Sequence, residues 1–426
     1  MSATLEFPLV RSSIAGVPVA ELAAKYGTPT YVYDFESIER AVKDLAPFDV
    51  IRFAQKANSN IAVLDFLRQR GVLVDAVSAG EVHRAVSAGY ELHGEPHPVV
   101  YTADIFDRAS LDLVVEKGLH VNCGSEEMIR QLGERAPGAN VTLRINPGFG
   151  HGHSQKTNTG GEQSKHGIWH ENLDGALQLA DRYGVTVTGL HMHIGSGADF
   201  EHLSQVGQAL ETIARKVGRS ITTISAGGGL PTRYRSSDTQ VDIERYFKIW
   251  DETRRRLQEE FGHAITLEIE PGRYLVAECG FLVAEIRAIK RMGKNLFYLL
   301  DAGFNSLARP ILYGAYHPMS ISPAKGGAGE RETVPVVVGG PLCESGDIFT
   351  QQDGGFVCSR DLPVAEVGDF LVIEAAGAYG FVMASNYNSK PLPAEVAIYR
   401  GSHQVIRARQ TNEDLTRGER LASWNG

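Results

Sequence analysis

Three observations predict a (β/α)8 TIM-type barrel followed by a C-terminal antiparallel β-barrel or sandwich domain. First, apolar, β-branched runs alternate with amphipathic helical stretches from Val50 to Glu270, the rhythm of a parallel sheet. Second, eight such units within roughly 240 residues match the length of a closed barrel. Third, beyond Gly280 helical patterns nearly vanish and short strands stand between Gly and Pro turns, as in a separate all-β domain. The barrel is expected over 37–280, and the β domain over 1–36 and 281–426. A length of 426 residues is too great for one ordinary domain and agrees with two.

Taken in order, residues 1–36 hold a helical pattern around Val19–Tyr26 and an extended run Thr30–Asp34 that returns to the β domain. Barrel strands are expected at Val50–Lys56, Leu73–Ser78, Val99–Ala103, His120–Cys123, Val141–Asn146, Thr186–Ile194, Ile221–Ala226 and Ile265–Glu270. The helical stretches include Asn60–Arg70, Gly80–Gly89, Arg108–Lys117, Glu126–Arg135, Leu173–Tyr183, Glu201–Val217 and Ile243–Phe261. An open doubly wound sheet is the structural alternative, weakened by the lack of a Gly-x-Gly-x-x-Gly run after the first strand. In the β domain, strands are expected at Phe281–Ile289, Leu296–Leu300, Thr333–Val338, Phe370–Ile373, Glu395–Tyr399 and Gln404–Arg409.

Composition excludes several classes. The net charge of −9 is modest and no dense basic patch occurs, which argues against nucleic acid as the main partner. No apolar stretch is long enough to span a bilayer, and the first residues lack the basic start and apolar core of a signal peptide. Cys123, Cys279, Cys343 and Cys358 are scattered without paired metal-ligand spacing. They read as thiols in a reducing cytoplasm, where the protein is expected to reside.

Barrels carry their chemistry at the C-terminal ends of their strands. Here those ends hold Lys56, Ser78, Asp104, Asn122, Arg144 with Asn146, His193 with Ser196, Gly227-Gly228-Gly229, and Glu270 with Arg273. Lys56 closes an apolar strand. It reads either as a snorkelling strand-end lysine or as an amine in a dry site, able to condense with a carbonyl compound such as pyridoxal phosphate. The glycine triplet follows the seventh strand, where barrels bind phosphate through bare backbone N–H groups, although turns also use glycine freely. His191 and His193 share a strand face. They could be core histidines, a metal pair lacking further ligands, or, for one of them, a ring stacked on a planar cofactor, with Ser196 donating to a phosphate.

Glu268 and Glu270 also share a parity, so at least one is expected to be paired. A carboxylate at a pyridine nitrogen would keep that nitrogen protonated. Arg273 would supply positive charge for a phosphate or carboxylate. The aperiodic stretch Gly148–Gly167 is expected to be a functional lid. In the β domain, Arg309 and Tyr313, Cys343 with Glu344, and Tyr379 between glycines each have a bland reading as turn chemistry.

Taken together, Phe53-Ala-Gln-Lys56-Ala-Asn, His191-Met-His193-Ile-Gly-Ser, Gly227-Gly-Gly, Glu270-Pro-Gly-Arg273, Cys343-Glu344-Ser and Gly377-Ala-Tyr379-Gly resemble the diaminopimelate decarboxylase family. These are pyridoxal phosphate enzymes of the alanine racemase-like barrel class. The resemblance runs over nearly the whole chain. Gln55 and His166 depart from the broader family, which more often has an aliphatic residue and a phenylalanine there.

The resemblance implies decarboxylation of meso-2,6-diaminopimelate to L-lysine and CO2, the last step of lysine biosynthesis. It implies that Lys56 carries the Schiff base, that His193 stacks on the ring and that Glu270 meets the pyridine nitrogen. Gly227, Gly228, Gly229, Ser196, the turn Glu270-Pro271-Gly272-Arg273 and Tyr379 hold the phosphate end. Arg273, Arg309, Tyr313, Glu344 and Tyr379 are the implied substrate contacts, and Cys343 the implied proton donor. Cys343 and Glu344 reach the neighbouring subunit's site in this family, so a homodimer with shared active sites is implied. No metal is expected.

The carboxylate to be lost should not be clamped by an arginine, because that would stabilise the ground state. Arg273 and Arg309 are therefore assigned to the far carboxylate, and Glu344 to the far ammonium. Rival readings are a racemase on the same fold, disfavoured by Glu270, and an ornithine or arginine decarboxylase, whose substrate would leave Arg309 without a partner. A non-catalytic pyridoxal phosphate carrier and a zinc hydrolase using His191 and His193 are more remote.

Overall fold

The computed structural model describes residues 7–150, 160–193, 200–325, 331–352 and 354–424. The chain divides into two compact units. One comprises Ile38–Thr232 and Thr239–Leu275, the other Met1–Ser37, Arg233–Asp238 and Val276–Gly426.

In the first unit, eight parallel strands close among the described residues. They are Val50–Ala54, Leu73–Ala76, Val99–Ala103, His120–Cys123, Asn140–Asn146, Thr186–His191, Thr223–Ser225 and Thr266–Ile269. Each pairs in parallel with the next. The last returns to the first through Glu268 opposite Val50 and Ile269 opposite Ile51. That closure fixes which strand ends share one rim, and the two-residue strand Ile168–Trp169 pairs in parallel with the end of Asn140–Asn146.

The helices between the strands start where short polar side chains can satisfy the first free N–H groups. Asn60, Ser78, Asp107, Ser125 and Asp242 each accept a backbone hydrogen bond as N-cap. Gly118, Gly184 and Gly262 end helices in the left-handed conformation. Apolar residues such as Phe53, Val74, Leu143, Leu190, Ile224 and Leu267 are buried. Arg52 is buried as well and forms a two-pronged ion pair with Glu268, at 2.7 Å and 3.2 Å, while its Nη1 donates to His97 O at 2.6 Å. A charge in this interior is tolerable only with its partners in place.

The strands are shorter than the sequence suggests at several ends. The first stops at Ala54, and Gln55–Ala57 form a 3-10 turn, so Lys56 stands just beyond the strand rather than on it. Ser78 lies past the second strand and caps the following helix by accepting from Glu81 N. The sixth strand ends at His191, so His191 and His193 do not share one strand face.

The second unit is mostly an antiparallel sheet. Gly280–Met292 pairs antiparallel with Asn295–Leu300, with Phe370–Ile373 and with Thr30–Asp34. Among its described strands two pairings are parallel, Thr30–Asp34 with Ala394–Tyr399 and Asn295–Leu300 with Thr333–Gly339, and Val10 forms an isolated parallel bridge with Ile321. The N-terminal extended run is thus a central strand of this sheet, with Val32, Val283, Val372, Val396 and Ile398 in its core. Met319–Ser322 and Arg360–Pro363 are further strands, absent from those expected on sequence. Among the described residues, no helix is long and apolar enough to cross a membrane.

Candidate active site

At the strand-end rim of the barrel unit, the order of the chain converts into a cluster. The turn after the eighth strand packs on the end of the first, with Ala54 N donating to Pro271 O at 3.2 Å. A Cβ on Gly272 would meet Ala54 O at 3.2 Å and the Ala57 Cβ at 3.3 Å. Lys56 therefore lies on a turn next to Pro271-Gly272. It is exposed, and its positive charge is felt at Asp75, Glu81 and His193.

Glu270 is buried at 4 % exposure. One oxygen lies 2.7 Å from His191 Nε2, and the other accepts from Ser225 Oγ at 2.9 Å. Burial alone would raise its pKa, but the charge and hydrogen bond of His191, with that of Ser225, outweigh burial and hold it down at about 2. An ionised carboxylate only accepts, so His191 Nε2 carries the proton. Glu268 on the eighth strand pairs with Arg52, and Glu270, one residue past the strand's end at Ile269, pairs with His191 and Ser225.

The glycine triplet lies alongside. Gly227 N donates to Ser225 Oγ at 3.1 Å, and Gly227 O accepts from Glu270 N at 2.9 Å. Gly227 has φ +63°, and a Cβ there would lie 2.5 Å from Met192 O; one on Gly228 would lie 2.7 Å from Glu270 O. Glycine at these two positions lets the sixth, seventh and eighth strand ends converge. Gly229 has φ +97°. His193 sits against this run, its Cε1 3.7 Å from the Cβ position of Gly228. Burial, followed by the charges of Arg144, Lys56 and His191, pushes His193 well below the usual histidine range and leaves a neutral ring. Arg273 begins the short helix Arg273–Val276 and is half-buried. Ser196 and residues 151–159 of the expected lid lie outside the described residues.

Several residues with no role assigned from sequence share this rim. Asp75 is buried, and its Oδ1 has no hydrogen-bond partner. Burial, and then the Glu270 charge, push its carboxyl up to about 6. Burial likewise pushes Glu81 up to about 7. Arg144 is buried beside Asp104, Glu270 and Asp75, whose charges act on it. The available signal for Asp75 was a charge inside an otherwise apolar strand. The Gly148–Gly167 stretch is anchored at both ends. Asn146 Oδ1 accepts from Gly148 N and Gly161 N, and Asp104 accepts from Gly167 N at 2.9 Å and faces His166 Nδ1 at 2.5 Å.

In the β unit, Arg309 is buried and its Nη1 lies 2.7 Å from His317 Nε2. Tyr313, on the same short helix, is 37 % exposed. Cys343 and Glu344 are exposed on a turn, where Cys343 N donates to Asn388 Oδ1 at 2.7 Å. Tyr379 takes φ +56°, in the left-handed region. Its neighbour Gly377 is obligatory, since a Cβ there would lie 1.8 Å from Val276 O.

The barrel residues fit pyridoxal phosphate. They offer an accessible amine, a buried carboxylate kept ionised, a neutral imidazole, a glycine run and an unpartnered buried acceptor on Asp75. Among the described residues, no cluster of three or more metal-ligating side chains occurs.

A closed barrel with this rim defines the class, and residues 34–277 match the family model described as "Pyridoxal-dependent decarboxylase, pyridoxal binding domain". The chain is 50% identical over 410 residues to a diaminopimelate decarboxylase of Streptomyces coelicolor, covering 96% of this chain and 93% of that one. It is 51% identical over 395 residues to the Escherichia coli K12 protein of the same name, covering 92% and 94%. A crystal structure of diaminopimelate decarboxylase superposes with TM-score 0.91 at 49% identity, over 94% of this chain and 95% of that one. The Helicobacter pylori enzyme complexed with L-lysine gives 0.83 at 30% identity, over 93% and 98%. The chain belongs to the diaminopimelate decarboxylase family, a group of pyridoxal phosphate-dependent carboxy-lyases.

Proposed function

We propose that the chain removes one carboxyl group of meso-2,6-diaminopimelate as CO2 and releases L-lysine, the closing step of lysine biosynthesis in the cytoplasm. Residues 37–280 would be the cofactor-binding barrel, and 1–36 with 281–426 the β domain. The observation that carries this reading is the buried Glu270, kept ionised by His191 at 2.7 Å and Ser225 at 2.9 Å beside the turn that bears Lys56.

When bound, pyridoxal phosphate supplies an electron sink for the pair left on Cα as CO2 departs. Lys56 Nζ would hold the cofactor aldehyde and later displace the product. Glu270 would face the ring nitrogen and keep its proton in place, and the neutral His193 would stack on the ring. Gly227, Gly228, Gly229, Ser196, the Glu270-Pro271-Gly272-Arg273 turn and Tyr379 would hold the phosphate end. Arg273, Arg309, Tyr313 and Tyr379 are assigned to the substrate, the two arginines taking the carboxylate that is retained. Glu344 would pair with the far ammonium. Cys343 Sγ would return a proton to the carbon that lost CO2.

Cys343 and Glu344 are exposed on their turn, which fits a second copy of the chain using them. A homodimer with shared sites is therefore part of the proposal. Two assays test it. CO2 release from diaminopimelate should exceed release from lysine, ornithine and arginine, and a preference for any of these three would reject the substrate assignment. Mixed Lys56→Ala and Cys343→Ala dimers should recover activity, since one hybrid site keeps both groups. No recovery despite proven subunit exchange would reject sharing.

A further inference from the structure

We propose that His317 is a positioning residue for Arg309, holding its guanidinium toward the substrate carboxylate that is retained. The inference rests on the substrate role given to Arg309 above and extends it to a residue that touches no substrate. The geometry is confined to the β unit. Arg309 opens the helix Arg309–Tyr313 and is 6 % exposed, and His317 is 0 % exposed.

The direction of each hydrogen bond follows from chemistry. A guanidinium has donors only and keeps its charge. The 2.7 Å contact from Arg309 Nη1 therefore requires a lone pair on His317 Nε2. The ring proton then sits on Nδ1, which faces Glu374 O at 3.0 Å, a carbonyl that can only accept. Both ring nitrogens are thus committed and a single neutral tautomer is selected. The ring plane is fixed as well, since Tyr234 meets it edge-on at 5.4 Å and 82°. The Arg309 guanidinium carbon lies 4.9 Å from the centroid of the same Tyr234 ring. Arg360 Nη1 donates to His317 O at 2.5 Å and ties down the backbone of the residue.

A neutral imidazole orients a guanidinium without cancelling its charge, which a carboxylate in the same place would do. The nearby Glu374 carboxylate is itself taken by Arg11, at 2.9 Å and 2.8 Å, and by Ser320 at 2.9 Å. His317 is therefore the acceptor that aims the charge, and an acceptor at the Nε2 position is what the role requires.

The test uses the holoenzyme and two competitive inhibitors: L-lysine, which keeps the retained carboxylate, and 1,5-diaminopentane, which has none. His317→Asn can still reach Glu374 O but not Arg309, whereas His317→Gln can place an oxygen near the lost Nε2. For His317→Asn, KM for diaminopimelate and Ki for L-lysine should each rise about tenfold, the cost of one charge-assisted hydrogen bond. Its kcat and its Ki for 1,5-diaminopentane should stay within about twofold of native values, the split expected when only carboxylate binding is disturbed. His317→Gln should recover most of the lysine affinity. Should His317→Asn fail to fold, His317→Phe carries the same expectation. Unchanged lysine affinity in these variants, or equal weakening of both inhibitors, overturns the inference. Arg309→Leu separates the two levels. If it leaves lysine affinity intact, the substrate role of Arg309 fails; if it weakens lysine while His317→Asn does not, only the role of His317 falls.

Discussion

Replacing His191 by phenylalanine tests how the site keeps its buried carboxylate charged. The imidazole is 1 % exposed, and its Nε2–H donates to Glu270 at 2.7 Å. Its charge and hydrogen bond are the main forces that hold Glu270 at about 2 rather than the ordinary 4.5, against burial. That difference corresponds to about 3 kcal/mol at 1.36 kcal/mol per pH unit. A carboxylate depressed in the folded state stabilises the fold above its unfolded value, and the benefit is lost as pH falls from about 4.5 toward 2. Urea denaturation of cofactor-free protein should therefore show His191→Phe less stable by at least about 3 kcal/mol at pH 7, since burial then acts on Glu270 unopposed by His191. The gap should narrow as pH drops below 4.5. In the loaded enzyme, the acid limb of kcat/KM should move upward by about two pH units. A gap that does not change with pH, together with an unmoved acid limb, would refute the electrostatic role and leave His191 as packing alone.

Three further outcomes follow from the same geometry. Gly228→Ala should cost most of the cofactor affinity, measured by equilibrium dialysis, because its Cβ would lie 2.7 Å from Glu270 O. Asp75→Asn should stabilise the cofactor-free protein by up to about 3 kcal/mol at pH 8, read by urea denaturation, because a carboxyl raised from 3.8 to about 6 opposes folding above pH 4 and fully so above pH 6. The advantage should fade below pH 4. Arg52→Met should destabilise the barrel by about 3–5 kcal/mol by leaving Glu268 buried without its partner, and Arg52→Met with Glu268→Leu should recover much of that loss.

The barrel was legible because its strands are β-branched runs bounded by polar residues, as in Val99–Ala103 and His120–Cys123, which the structure reproduces end for end. Ends were less legible where local bonds decide them. Ser78 leaves the second strand because its hydroxyl caps the next helix, and Lys56 leaves the first because Asn58 N closes a turn onto Gln55 O at 3.0 Å. Met319–Ser322 and Arg360–Pro363 are four residues each and carry too little pattern to stand out. The two parallel pairings of the β unit depend on long-range returns of the chain, which periodicity does not encode.

The same division applies to the site. Lys56, the glycine triplet and Glu270 stood out as candidates because each breaks a local rule. Asp75 shows in sequence only as a charge inside an apolar strand and Arg144 only as a polar strand end, and both, like Ser225, gain meaning when strand closure sets them beside Glu270. On sequence alone, His191 stood between a core role, a metal and a ring stacked on a planar cofactor. The 2.7 Å contact to Glu270 makes it the group that keeps the acid ionised.

The most direct measurement of the central claim, that one amine at the barrel rim holds the cofactor for decarboxylation, is made on Lys56→Ala purified with added pyridoxal phosphate. Native protein should carry the visible absorbance of the bound cofactor and release CO2 from diaminopimelate. Lys56→Ala should lose the absorbance of the lysine-bound form and fall in rate by at least about 10³-fold, equivalent to about 4 kcal/mol of lost transition-state stabilisation. Unchanged absorbance and a native rate in that variant would contradict the account.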